Sequence, residues 1–267
     1  MALRVGHTPR VRLVSWNVAG RVRRRPEQVE ALLAEDPDAI ALQELSATTV
    51  PGWRADLGAA GYAVRTSLDR LAPPAERRRP LGVLVAAREA MRAGPTVDVP
   101  WPERLLAVRL GGVVLYNVHS PVSESPGLAK VLTHEAVHAH LARRSRTPRV
   151  LCGDLNTPQR ETVDGEVLTF ARTSAGRLRP ERGERHDRAE LALIRGLEDA
   201  GFRDAFRTTH GYGPRDRSWT WPNGGGYRLD HVIVTQQLDV RECRYLHAWR
   251  EAGLSDHSGL LAVLERR

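Results

Sequence analysis

Six short polar clusters stand at the ends of apolar runs. Ser15-Trp16-Asn17 ends the first run, Gln43-Glu44 the second, and His119-Ser120-Pro121 follows Val113 to Val118. Gly153-Asp154-Leu155-Asn156 follows Val150 and Leu151, Arg228-Leu229-Asp230-His231 opens a further run, and Ser255-Asp256-His257 precedes the last. Loops at strand ends are where a rigid scaffold displays chemically active groups. Carboxylates and side-chain amides there offer the oxygen ligands that a hard cation such as Mg²⁺ takes while keeping waters of its own. A carboxylate beside an imidazole fixes the ring's tautomer and raises its basicity. Each cluster alone also has a plainer reading. Asn17, Asp154 and Asn156 can be turn formers, Glu44 a solvated charge, His119 and His257 hydrogen-bonded structural histidines.

The elements that must carry these clusters are legible as runs rich in Val, Leu and Ile. They predict strands at Val11 to Val18, Asp38 to Leu42, Leu81 to Ala87, Leu105 to Leu110, Val113 to Val118, Arg149 to Gly153, Leu229 to Thr235 and Gly259 to Leu264. Pro26 opens a helix with Val29, Leu32 and Leu33 as its apolar stripe; a second helix runs from about Leu128 to Arg143. A third spans about Arg188 to Ala200 and stops at Gly201. Strands mixed with helices and hairpin-like pairs predict an α/β sandwich, with residues 1–267 forming one domain. The polar, Arg-rich stretch Arg160 to Asp187 reads as a long, mobile surface loop.

The net charge is +8, and of the 40 Lys and Arg residues all but Lys130 are Arg. Such a field favours a polyanion, although the Arg bias looks like a coding preference and the charge reads equally as a solvated surface. No apolar run approaches the ~20 residues of a membrane span. MALRVGHTPRVRLVSW has no apolar stretch before a cleavage site. Cys152 and Cys243 suggest no disulfide framework. The expected setting is cytoplasmic and reducing, with no membrane partner.

In order and wording the six clusters resemble the endonuclease/exonuclease/phosphatase superfamily. Its pattern is a strand ending in S-W-N, then L-Q-E, N-x-H or N-x-Y, G-D-x-N, R-x-D before a strand, and S-D-H near the C-terminus. All six occur here in that order, from Ser15 to His257. The resemblance implies a four-layered α/β/β/α sandwich with two central mixed sheets, like deoxyribonuclease I. It also implies a single divalent-metal site at their upper edge, for Mg²⁺ or alternatively Mn²⁺, and phosphodiester hydrolysis there. Glu44 is then the expected metal ligand, with Asn17 beside it and Asp256 acting through water. Asp154 is expected to orient or deprotonate the attacking water, and Asn156 to hold a phosphate oxygen. Asp230 and His257 form a pair that serves as base or as cationic phosphate stabiliser, and His119 contacts the scissile phosphate. Arg228 either binds phosphate or pairs with a neighbouring carboxylate.

Within the superfamily, Gly201-Phe202-Arg203-Asp204-Ala205-Phe206-Arg207 resembles the G-L-x-D-x-F-R of the exonuclease III and abasic-site endonuclease branch. Ser218-Trp219-Thr220-Trp221 resembles its S-W segment, where the Trp lines a pocket for an extrahelical deoxyribose. These likenesses imply a DNA nuclease; a monomer is expected. Two features depart from that branch: His119 stands where it usually carries Tyr, and no Lys follows Glu44 closely. They keep open a phosphatase or phosphodiesterase acting on small phosphate esters, inositol phosphates or phospholipids. Two readings come from other classes. His134-Glu135-Ala136-Val137-His138 matches the zinc metalloprotease pattern H-E-x-x-H, without its usual continuation. A non-catalytic binding module would have little need of Asn17, Glu44, Asp154, Asn156, Asp230 and His257 together.

Overall fold

A computed structural model describes residues 10–69 and 80–267; residues 1–9, the start of the stretch read for a leader, lie outside them. The first part of the chain runs β1 (Arg10–Asn17), α1 (Arg25–Ala34), β2 (Ala39–Leu45), α2 (Val50–Ala59), β3 (Ala63–Thr66), β4 (Gly82–Ala87), β5 (Arg92–Ala93), β6 (Leu105–Leu110), β7 (Val113–His119), α3 (Ala129–Leu141) and β8 (Arg149–Asp154). It continues through β9 (Arg160–Glu161), β10 (Val167–Leu168), α4 (Gly183–Ile194), β11 (Phe202–Asp204), α5 (Ala205–His210), β12 (Trp219–Thr220), β13 (Gly226–Tyr227), β14 (Asp230–Thr235), β15 (Leu238–Leu246), α6 (His247–Glu251) and β16 (Gly259–Arg266).

Two six-stranded sheets form, ordered β15-β16-β1-β2-β4-β3 and β11-β14-β8-β7-β6-β5. Each has one parallel pair at its centre, β1 with β2 and β7 with β8, and antiparallel neighbours elsewhere. The sheets pack face to face because successive side chains of a strand point to opposite faces. Leu13, Ala41, Val83 and Val85 meet Val108, Leu115, Val150, Cys152 and Val232 in the layer between them. Val14, Trp16, Ile40 and Leu42 take the other face of the first sheet, under Leu32 of α1, Trp53 and Leu57 of α2 and Trp249 of α6. Tyr116, Leu151 and Ile233 do the same on the second sheet against Val137 and Leu141 of α3 and Leu193 of α4. This is the four-layer α/β/β/α sandwich. Its strands are buried on both faces, which is why they read as continuous apolar runs. Each fully buried Val, Leu or Ile contributes about 1.5–3 kcal/mol.

The close approach of β7 and β8 depends on Gly153, whose φ is +124°. A Cβ there would lie 2.0 Å from the carbonyl oxygen of Val118. Two expectations from the sequence are corrected. The third helix runs Gly183–Ile194, earlier than Arg188 to Ala200. The stretch Arg160 to Asp187 is not a loose loop: it contains β9, β10 and the start of α4, and Thr169 and Asp187 are buried. Asp187 accepts hydrogen bonds from Thr169 Oγ1 and from Arg172, and Glu190 accepts one from Phe170 N. Both cysteines are buried and unpaired. Among the described residues no helix is long and apolar enough to cross a membrane.

Candidate active site

The parallel pairs bring the clusters together. β1 and β2 run the same way and end at Asn17 and Leu45; β7 and β8 end at His119 and Asp154. In register, His119 faces Asp154 on one side and Asp230 faces it on the other. Asp154 therefore stands between a histidine and a second carboxylate on one sheet edge. His257 arrives from the loop before β16, fixed by a bridge to Trp219 and by Trp16 Nε1 donating to its carbonyl.

The seam between the two sheets is crossed by Asn17. Its Nδ2 donates to Glu44 Oε1 and to Asp154 Oδ2, both at 3.0 Å, while its Oδ1 accepts from Ala19 N. Glu44 reaches this position from a register shift in β2 between Leu42 and Leu45, with its own φ at +65°. A bulge re-aims a side chain, and a non-glycine residue held in the left-handed region stores strain of about 1–3 kcal/mol, a hallmark of functional sites. Asn156, with φ +51°, is the second such residue in the cleft. Its backbone N–H donates to Asp154 Oδ1 and its Nδ2 to the Ser120 carbonyl.

Glu44, His119 and Asp154 present ligand atoms within 4.8 Å of one another. His119 Nε2 lies 3.6 Å from Glu44 Oε1 and 3.9 Å from Asp154 Oδ2. Among the described residues this is the group able to hold a metal ion. Beside it, His257 Nδ1 meets Asp230 Oδ2 at 2.8 Å, and His257 Nε2 lies 3.9 Å from Asp154 Oδ2. Asp230 is anchored in turn by Ser218 Oγ, which accepts from its N–H. Burial disfavours the charged ring of His257, but Asp230, Asp154 and Asp256 outweigh it and hold its pKa up to about 10. Burial, with Asp230 and Glu44 nearby, pushes the Asp154 carboxyl up to about 7 against the pull of His257. An acid-rich seam of this kind fits a divalent cation, whose charge would offset the crowded carboxylates. Asp230 Oδ1 and Asp256 Oδ1 are buried there without a hydrogen-bond partner among the described residues.

Asn17, Glu44, His119, Asp154, Asn156, Asp230 and His257 thus converge as expected in position, with differences in detail. His119 stands in the metal-competent group, whereas Asn17 faces the carboxylates with its NH₂ and bridges them. Asp256 lines the same cleft, and its Oδ2 accepts from Trp219 Nε1 at 3.0 Å. Arg228 is not in the cleft. Its guanidinium is buried against Glu161 and Asp204, at 2.7 and 2.9 Å, so the pairing alternative is the one observed. The H-E-x-x-H pattern makes no metal site among the described residues. His134 is fully buried with Nε2 on Ser120 Oγ at 2.7 Å, and burial followed by the nearby Lys130 cation pushes its pKa down to about 3. Glu135 is paired with Arg185 on the surface.

The cleft, of ≈ 360 Å³, is also lined by Phe170, Trp219, Tyr227 and Leu229. Tyr227 stacks on Trp219 with centroids 6.0 Å apart and rings 9° from parallel. The β12–β13 ribbon that carries them needs Gly226, where a Cβ would lie 2.0 Å from the Trp219 carbonyl oxygen. Tyr227 was not foreseen, although it precedes Arg228 directly. Behind the cleft Lys130 Nζ donates to Glu190 Oε1 and to the Asn156 carbonyl, both at 2.7 Å, and to Ser123 Oγ at 3.1 Å. Its being the lone Lys in an Arg-rich chain was the one signal for it.

Comparison with known proteins agrees with this geometry. The profile of the Endonuclease/Exonuclease/phosphatase family matches residues 14–257. No curated protein sequence matches the chain significantly. An AP endonuclease from Archaeoglobus fulgidus shares the fold at a TM-score of 0.71 and 21% identity, over 94% of this chain and 98% of that one. A 3' phosphatase from Neisseria bound to a product DNA hairpin does so at 0.65 and 22%, with the same coverage of 94% and 98%. A 3'-5' exonuclease from Neisseria meningitidis gives 0.65 and 24%, again over 94% and 98%.

Proposed function

The chain belongs to the endonuclease/exonuclease/phosphatase family, and on that premise we propose that it is a Mg²⁺-dependent phosphodiester hydrolase acting on DNA, as a 3'-5' exonuclease or an abasic-site endonuclease. The observation that carries this reading is the seam itself, where Glu44, His119 and Asp154 share ligand range beside the Asp230–His257 pair. A cation bound there supplies charge neutralisation of the phosphate and eases departure of the sugar oxygen.

Asp154, held by Asn17 Nδ2 and the Asn156 N–H at the centre of the seam, is the group to orient the attacking water and take its proton. The water oxygen forms the new bond to phosphorus as the bond from phosphorus to the sugar oxygen breaks, and the water's proton passes to Asp154. His257, cationic at pH 7 with Asp230 behind it, offsets the charge that develops on the phosphate oxygens. Asn156 has a second amide N–H, beyond the one given to Ser120, with which to hold a phosphate oxygen. Trp219, Tyr227 and Leu229 offer apolar and aromatic surface to a sugar or a base.

The likeness in fold to an AP endonuclease and to a phosphatase solved with a DNA hairpin favours DNA over a small ester. His119 in the usual Tyr position favours the second reading, a phosphatase or phosphodiesterase acting on small phosphate esters, inositol phosphates or phospholipids. A panel of abasic duplex, frayed duplex, single-stranded DNA, RNA, inositol phosphates and a phospholipid, each with Mg²⁺ or Mn²⁺, decides between them. DNA cleavage that falls by about 5- to 100-fold in Trp219→Ala, with an aryl phosphate ester spared, is the expected result. Cleavage of inositol phosphates or phospholipids with no DNA cleaved under any metal condition refutes the nuclease reading.

A further inference from the structure

A groove of ≈ 670 Å³ lies next to the catalytic cleft, and Tyr227 lines both. The two differ in sign. The cleft is lined by Glu44, Glu124, Asp154 and Asp256 against His119 and His257. The groove is lined by Arg160, Arg179, Arg207, Arg215, Arg217 and Arg228 against Glu161 and Asp216.

Its cationic residues fall into two tiers. Arg207 and Arg228 form the floor, buried and held by Glu161, with Asp204 also on Arg228. The floor fixes the rim. Arg207 Nη1 donates to the carbonyls of Gly211 and Pro214, and so pins the loop that carries Arg215 and Arg217. Asp216 is taken by His247 at 2.9 Å, and Arg250 Nη1 donates to the Arg217 carbonyl, so the far side of that loop is tied as well. The rim guanidiniums of Arg160, Arg215 and Arg217 are exposed and have no carboxylate partner among the described residues. A network of buried ion pairs thus braces three uncompensated cations on a positioned loop and ribbon. Guanidinium groups suit phosphate oxygens, which they meet with paired donors. The residue shared with the cleft is aromatic: Tyr227 packs edge-on against Phe170 of the cleft at 4.9 Å and against the neighbouring Trp221 at 4.8 Å, and Tyr212 lines the groove as well. Cationic grooves with aromatic faces are how proteins hold single nucleic-acid strands without reading sequence.

We infer that this groove binds the sugar–phosphate backbone of a single polynucleotide strand running on from the scissile bond, past Tyr227 and Tyr212. Arg160, Arg215 and Arg217 take about three of its phosphates. The inference rests on the phosphodiesterase reading for its orientation, and it narrows the substrate class to a chain of nucleotides with an unpaired stretch.

The test separates binding from cleavage. A fluorescent single-stranded DNA of about 12 nucleotides is titrated with the full chain in EDTA by anisotropy, across salt, for the wild type and for the triple variant Arg160→Gln/Arg215→Gln/Arg217→Gln. Each contact to a single strand contributes about 0.7 to the salt slope, so the variant's slope should be shallower by about 2. Between about 50 and 200 mM salt the wild type should then lose about 20-fold more affinity than the variant does. With Mg²⁺, hydrolysis of the small diester bis(p-nitrophenyl) phosphate should be the same in both. Equal affinity and equal salt slope in the two proteins overturn the groove, whatever is cleaved. A slope that falls as expected, in a protein that cleaves no nucleic acid under any metal condition, leaves the groove standing and refutes the proposed activity instead.

Discussion

Replacing Lys130 by Met tests how the back of the cleft is held. The ammonium has three donors and meets three acceptors: Glu190 Oε1, the Asn156 carbonyl and Ser123 Oγ, at 2.7, 2.7 and 3.1 Å. The side chains of Lys130 and Glu190 are 2% and 1% exposed. Burial works against both charges; Lys130, with His186 and Thr157, nonetheless holds the Glu190 carboxyl far below the usual range. Without the cation, Glu190 is left buried on His186, Thr157 Oγ1 and the Phe170 N–H, a broken buried pair that costs about 3–5 kcal/mol. That is a large part of the ~5–15 kcal/mol that keeps a domain folded. Lys130→Met/Glu190→Gln removes both charges, so its loss should be smaller than the sum of the single losses by about 2 kcal/mol or more. Urea unfolding followed by Trp fluorescence measures all four proteins. In the folded protein, Lys130→Met also frees the Asn156 carbonyl, so kcat should fall with KM little changed. A single-mutant cost below about 1 kcal/mol, or additive losses, would refute the reasoning.

Three further outcomes are expected. Glu44→Gln should abolish metal-supported hydrolysis while circular dichroism stays native; near-normal turnover at saturating Mg²⁺ would mean the wrong ligand. Asp230→Asn, His257→Gln and their double variant should be strongly non-additive in kcat, as residues acting as a unit are, and independent losses would dissolve the pair. Burial raises the Glu161 carboxyl, but Arg228 and Arg207 overcome this and lower its pKa from 4.5 to about 2. Its stabilisation of about 3 kcal/mol is therefore complete above pH ~4.5 and lost as pH falls toward ~2, so between those limits wild-type Tm should drop more steeply than that of Glu161→Gln.

The site was legible because strands buried on both faces read as unbroken apolar runs, and their polar ends stand out against them. Glu44, Asp154 and His257 owe their detection to that contrast. β15 was missed because a register shift between Val240 and Glu242 breaks its alternation. Leu238 and Val240 pack inward in one phase, Cys243 and Tyr245 in the other. α2 was missed because Gly52 and Gly58 dilute a stripe of only Val50, Trp53 and Leu57. Tyr227, Phe170 and Glu190 could not be placed at all, since their roles depend on contacts between segments far apart in the chain. Arg228 could not be assigned for the same reason: its partner Glu161 is 67 residues away.

The position of β16, between β15 and β1, sets an order in time. The second sheet draws all its strands from one continuous stretch, β5 to β14, and can zip up from neighbours. The first sheet needs β1 to β4 from one end of the chain and β15 and β16 from the other, so its closure waits on the longest loop the chain must close. Pulse-labelled hydrogen exchange during refolding should protect β7, β8 and β14 before β1 and β16. Because Asn17 and Glu44 belong to the late sheet and Asp154 to the early one, the candidate site is assembled in the final folding step. A chain stalled before that step would hold Asp154 and Asp230 in place without Glu44 and Asp256.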